Sequence, residues 1–347
     1  MRTEWLGTLA ATALVTVACG SISATPPSAS GPAIRNLALV TLRGSNDIVV
    51  RDITDIDHPM TVSTLGQISM PMFVSGTELS YLDGSGLVRT PLSGSPKTVV
   101  SSQITGVFAW SPDGSAVVYA TQSNSGTGLH QLSAGEDRLL GSTPGEGIGG
   151  CESIEGCAIA NSLDFRLSYS PDGTSISLVT SGFGVGAFRL WSSDGKLVKT
   201  SDSQGETMSA WSGKSLYFRD SSGVEVWRDG TVSSFLPGVA WIKPKASPGG
   251  GQIVYSARDS DGWAHTYVVD TTTRNVREIK VGRSGAVFLT SRYVWYQGER
   301  ACAPADGCGL QPPFHPLSGM TYIYDLQNGI ETESDITAVF DVWPHPA

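Results

Sequence analysis

The chain is predicted to be an all-β, seven-bladed β-propeller over residues 37–347, closed by pairing of its N- and C-terminal strands. Three observations lead there. A hydrophobic strand, a Ser-Pro-Asp-Gly turn and a β-branched strand follow one another in "VFAWSPDGSAVVYA" and again around Ser170-Pro171-Asp172-Gly173. An aromatic or aliphatic residue near the end of the strand after the turn returns at steps of about 40 residues, the length of a four-stranded blade. The composition agrees: 41 glycines, 16% charged residues and no long helical periodicity beyond the N-terminus suit short strands joined by tight turns.

The repeat aligns on Tyr81, Tyr119, Leu178, Phe218, Tyr255 and Tyr296, in "ELSYL", "AVVYA", "SISLV", "SLYFR", "QIVYS" and "YVWYQ". Inner strands precede the turns in "VFAWS", "RLSYS", "MSAWS" and "AVFLT", and third strands follow in "GLHQL", "AFRLW", "VEVWR", "HTYVV" and "TYIYD". The step from Tyr119 to Leu178 is longer by about 20 residues, which marks an insertion at roughly 141–164. "NLALVTLRGSNDIVVRDI" supplies a second and a third strand with no inner strand upstream, and "AVFDVWPHP" at the C-terminus resembles an inner strand with nothing after it. One blade built from both chain ends removes the unpaired edges that an open ring would expose. The short fifth unit, with its degenerate turn, leaves six or eight blades as alternative counts.

Within the turn, Pro112 and Gly114 permit the reversal and Asp113 can bond nearby backbone. One carboxylate per loop is too few for calcium, which takes six to eight oxygens, so no metal or other cofactor is expected. Trp110, Trp211, Trp241 and Trp343 fall on inner strands and are expected to pack between blades. "FAWSPDGSAVVYA" and "LSYSPDGTSISLV" resemble the PD40 (WD40-like) repeats of TolB-type propellers. That resemblance implies a periplasmic or envelope-exposed propeller used for binding. TolB itself carries an α/β domain before six blades, whereas here a tether precedes seven units, so its Tol–Pal partnership is not carried over.

Residues 1–18, "MRTEWLGTLAATALVTVA", have the shape of a secretory signal: Arg2, then a run of mostly apolar residues too short for a comfortable membrane span. Thr16-Val17-Ala18-Cys19 resembles the lipobox of bacterial lipoproteins, which implies lipidation of Cys19 and an extracytoplasmic protein anchored to the cell membrane. Residues 19–36 then form a tether rich in Ser, Ala, Pro and Gly. The remaining cysteines form two C-x5-C pairs, Cys151 with Cys157 and Cys302 with Cys308. Four cysteines allow three connectivities, and low loop-closure entropy favours the two local bridges. The spacing is not that of zinc ligands.

In a propeller the second-to-third and fourth-to-first connections share one face, and the SPDG-type turns lie on the other. The insertions at 141–164 and 298–319 both rise over the first of these, which makes it the expected binding face. Arg43, Arg219, Arg258 and Arg300 fall just after second strands on this face, where they could grip a carboxylate or phosphate or simply form strand-end ion pairs. Phe183, Trp263 and Phe314 are candidate aromatic anchors, with His315 beside the last. The net charge of −9 argues against nucleic acid as a partner. No H-E-x-x-H or G-x-S-x-G motif occurs, and the five histidines are scattered. These readings favour a binding or scaffold module for another envelope protein over a glycan or small-molecule binder, or a lyase or hydrolase with a channel-mouth site.

Overall fold

The computed structural model describes residues 35–101, 104–123, 126–144, 166–182, 185–203, 208–260, 262–300 and 317–346. Their regular structure is β throughout: 28 strands, β1–β28 in chain order, form seven four-stranded antiparallel sheets. Six blades are sequential hairpin meanders, with inner strands β4 (Ser69–Ser75), β8 (Ile104–Trp110), β12 (Arg166–Tyr169), β16 (Ser209–Ser212), β20 (Ile242–Ala246) and β24 (Arg283–Phe288). The remaining blade takes β28 (Ile336–Trp343) as its inner strand, followed outward by β1 (Leu37–Leu42), β2 (Ile48–Asp52) and β3 (Met60–Gly66). Leu37 lies opposite Trp343 and Leu42 opposite Ile336, so the two ends of the ring close in one ladder, as the sequence predicts.

Alternation within each strand turns one apolar row toward each neighbouring blade. The buried side chains accordingly fall into seven clusters, each spanning two consecutive blades. The circuit has no gap: one cluster joins Leu289 and Trp295 of the seventh blade to Ala38, Val40 and Ile336 of the first. Tryptophan indoles add directional bonds across these seams. Trp110 Nε1 donates to Ser80 Oγ at 2.7 Å, Trp211 Nε1 to Ser177 Oγ at 2.9 Å and Trp241 Nε1 to the Met208 carbonyl at 3.1 Å, each partner lying in the preceding blade. A buried indole N–H requires such an acceptor, which is why these rings sit at seams.

The SPDG turns are hydrogen-bonded modules. In blade three, Gly114 N–H donates to the Ser111 carbonyl at 2.8 Å and Ala116 N–H to Ser111 Oγ at 2.9 Å, while Asp113 accepts Ser115 N–H at 3.1 Å. Ser170, Asp172 and Gly173 repeat the pattern. A third copy, Ser247-Pro248-Gly249-Gly250, keeps the Ser247 bonds without an aspartate. Gly114 has φ +68°, and a Cβ there would stand 2.9 Å from Val74 Cγ1 of blade two, so this turn needs glycine both for its left-handed backbone and for its close seat on the neighbouring blade.

Both insertions are shorter than the sequence suggests. β11 runs over Glu136–Pro144, so 141–144 belong to the outer strand of blade three, and β25 (Tyr293–Arg300) and β26 (Leu317–Asp325) extend their pairing to Arg300 opposite Leu317. The reason is continued antiparallel pairing past the aligned repeat, which absorbs 298–300 and 317–319 into the blade. Cys19, Cys151, Cys157, Cys302 and Cys308 lie outside the described residues.

Candidate functional site

On the face predicted for binding, the described arginines are engaged with their own rim. Arg43 Nη1 pairs with Glu333 at 2.8 Å and its Nη2 donates to the Ser334 carbonyl at 3.0 Å, tying blade one to blade seven. Arg258 Nη2 pairs with Glu299 at 3.0 Å, and Nη1 donates to the Gly262 carbonyl. Glu299, whose side chain is 3% exposed, also accepts Ala264 N–H at 2.8 Å, so a blade-seven carboxylate organises the blade-six loop that carries Trp263. Trp263 is half-buried over Gly282. Arg219 stands at the end of the second strand of blade five, where its N–H donates to the Met208 carbonyl at 3.0 Å. The arginines thus sit on separate blades of the predicted face, and those of blades one and six are held in ion pairs across blade seams. Phe183, Phe314 and His315 lie outside the described residues.

A cavity of about 630 Å³ opens on this face at the seam of blades seven and one, and Arg43, Arg283, Glu299, Arg300, Met320 and Tyr322 line it. Arg283, which the sequence does not single out, is its organiser. Its Nη2 meets Glu331 at 2.6 Å and its guanidinium lies 4.3 Å from the Tyr322 ring centroid. Glu331 in turn accepts the Tyr296 hydroxyl at 2.9 Å. Burial alone would raise the Glu331 pKa, but Arg283 and the Tyr296 hydroxyl outweigh it and hold the carboxyl below its usual range.

Beside Trp263, His265 Nε2 meets Asp259 Oδ2 at 3.1 Å, and Nδ1 lies 3.4 Å from Glu278 Oε2. The Asp259 hydrogen bond, against a smaller opposing effect of burial and with help from Glu278, raises the imidazole pKa above 6.5. A raised folded-state pKa contributes stability that is fully present below about 6.5 and is lost as the pH rises through the folded value. In an NMR titration the His265 midpoint should therefore exceed 6.5, and Asp259→Asn should return it toward that value; an unshifted wild-type midpoint contradicts the arrangement. The two carboxylates face different ring nitrogens, so they do not converge on one metal position. Among the described residues no group of three or more His, Cys, Asp or Glu side chains is placed to hold a metal ion.

At the opposite end, the inner strands of all seven blades surround a cavity of about 600 Å³ that opens among the SPDG-type turns at Pro112, Pro171 and Pro248. Apolar side chains dominate the wall, including Met70, Phe108, Trp110, Phe340 and Trp343. Its polar groups are few: Arg166, Lys245, two serines and the pair formed by Asp341 and His345. Asp341 Oδ2 accepts Phe73 N–H at 2.7 Å and meets His345 Nε2 at 2.9 Å. Burial of the imidazole favours the neutral form, but the Asp341 charge and hydrogen bond prevail and raise the pKa.

The fold and this paired set of openings define a closed seven-bladed propeller with a cavity at each end. Comparison with known proteins agrees with the architecture. The chain is similar to a prolyl endopeptidase at TM-score 0.57 and 11% identity over 88% of its length. It is also similar to the propeller domain of the trilobed protease from Pyrococcus furiosus at TM-score 0.50 and 10% identity over 77%, and to TolB from Acinetobacter baumannii at TM-score 0.49 and 15% identity over 88%. The chain spans 51%, 82% and 65% of those three chains respectively. At such identities the likeness concerns fold alone. No protein-family model and no curated protein matches the chain.

Proposed function

We propose that this propeller is a binding scaffold, carried on a lipid-anchored extracytoplasmic chain, that holds another envelope protein through the face of its second-to-third and fourth-to-first connections. The observation that carries this reading is the cleft at the seam of blades seven and one. Arg43, Arg283, Arg300 and Glu299 line it, with Met320 47% exposed at its edge. Its side chains are preset by Glu331, Glu333 and Tyr322, so little rotamer freedom is lost when a partner docks. The rigidity comes from the unbroken circuit of apolar seams, and the cleft supplies arginines, which protein interfaces enrich.

Photo-crosslinkers placed at Thr337 and Met320, in the native envelope, test the reading. A defined protein adduct that is lost in Arg300→Ala, while a crosslinker on the outer edge at Met60 gives none, is the expected result. Adducts of equal pattern from Met60 and from the cleft overturn it.

A further inference from the structure

We propose that the central cavity at the SPDG end is a ligand site for an uncharged aromatic molecule bearing one hydroxyl, its rings seated among Met70, Phe340 and Trp343 and its hydroxyl on Nδ1 of His345. The site is separate from the partner cleft, on the other face of the ring. Its volume of about 600 Å³ falls within the range of cavities that enclose a small organic ligand, mostly apolar with a few placed polar groups.

The wall presents ring surfaces to the cavity while its polar atoms are spent elsewhere. Trp110 Nε1 donates to Ser80 Oγ at 2.7 Å and Trp211 Nε1 to Ser177 Oγ at 2.9 Å, both in the seams between blades, and the Tyr169 hydroxyl accepts Gln131 Nε2 at 2.9 Å. Ser168 Oγ is likewise paired with Ser177 Oγ at 2.9 Å. Two apolar side chains of the same wall stand open to solvent: Met70 is 52% exposed and Phe340 is 44% exposed, on the adjacent inner strands β4 and β28. Aromatic faces and edges, with an adaptable thioether beside them, suit an aromatic body.

His345 supplies the polar anchor. Its Nε2 meets Asp341 Oδ2 at 2.9 Å, and the same oxygen accepts Phe73 N–H at 2.7 Å, which fixes the carboxylate and through it the imidazole. Nδ1 has no partner among the described residues. A hydroxyl both donates and accepts, so it bonds Nδ1 whether that nitrogen carries a proton or a lone pair. The Trp343 ring meets the His345 ring edge-on at 5.1 Å between centroids, so the apolar seat adjoins the anchor. Asp341 and His345 answer each other's charge, and Arg166 and Lys245, the other ionic side chains of the wall, are already engaged. An ionic ligand would therefore lose hydration here without gaining a counter-charge, which favours an uncharged one.

2-Naphthol is the probe, measured by equilibrium dialysis against the full chain at neutral pH. Its comparators are 2-methylnaphthalene, which lacks the hydroxyl, and 2-naphthalenesulfonate, which carries a charge. Saturable one-to-one binding of 2-naphthol is expected, with 2-methylnaphthalene weaker by about fivefold and the sulfonate by about tenfold. Phe340→Ala should weaken 2-naphthol by about tenfold with unchanged thermal melting, because the deleted ring is exposed. His345→Phe should bring 2-naphthol down to the affinity of 2-methylnaphthalene and leave the latter as it was. Absence of saturable 2-naphthol binding overturns the proposal on the wild-type protein alone, as does affinity for either comparator that equals or exceeds it. So does Phe340→Ala binding like wild type, or a hydroxyl preference that survives in His345→Phe.

Discussion

A chain ending at Asp335 should fail to form a stable monomeric ring. Removing β28 strips the inner strand from blade one, exposes the edge of β1 from Leu37 to Leu42, and opens the seam in which Ala38, Val40, Leu289 and Trp295 are buried. It also removes the Ile336 carbonyl, which accepts Trp295 Nε1 at 3.0 Å and Thr321 Oγ1 at 2.6 Å, and the Asp341 carboxylate that caps Phe73 N–H. The loss acts on blades one, two and seven together. A bare hydrophobic edge strand then invites pairing with other chains. Size-exclusion chromatography with light scattering should give oligomers or aggregate in place of monomer, and circular dichroism should show a broadened melt. A synthetic peptide covering 336–347 should restore monomer when added in trans. A truncated chain that stays monomeric with the wild-type melt contradicts the closure described here.

Trp241→Ala should lower stability by about 3–5 kcal/mol, the cost of deleting a large buried aromatic side chain. Trp241 is fully buried, sits directly before β20, stacks obliquely against Tyr255 at 5.8 Å and belongs to the cluster that joins blades five and six. Its indole is also the donor to the Met208 carbonyl, so Trp241→Phe should recover much of the packing but leave that acceptor unpaired, at about 1–3 kcal/mol. Denaturant unfolding followed by circular dichroism separates the two contributions. Equal losses in Ala and Phe variants would assign the effect to the hydrogen bond, and a negligible loss in both would remove Trp241 from the core.

The architecture was legible because its signals are local. The turn at Ser111–Gly114, the return of an aromatic second-strand residue and the orphan strand at Ala338–Val342 each declare themselves within a dozen residues, and closure follows because that orphan strand fills the inner edge of β1. The insertion limits were less legible, because pairing such as Arg300 with Leu317 continues through residues that carry no repeat signal. On the candidate binding face the repeat puts the arginines just after second strands; Arg43 follows β1, whereas Arg219, Arg258 and Arg300 lie within the ends of β17 (Ser215–Asp220), β21 (Gln252–Arg258) and β25, because pairing runs on past the aligned repeat. Their ion pairs could not be read from the repeat: Arg43 meets Glu333 across almost the whole chain, and Arg258 meets Glu299 across a blade seam. The cavity at the other end was missed for a similar reason. Met70 stands in "SMPMFV" with no marker of a left-handed backbone, and Asp341 acquires its role only when Phe73 arrives beside it. The D-x-x-x-H spacing of Asp341 and His345 was the one local clue to that pair.

The pairing of Leu37 with Trp343 makes the two ends of the ring unlike. The polypeptide enters and leaves the ring at the same end, beside the prolines of the SPDG-type turns. The cleft of Arg43, Arg283 and Arg300 lies at the other end, where the second-to-third connections run. The ring therefore has two unlike ends: closure and the apolar opening share one, and the charged cleft has the other to itself.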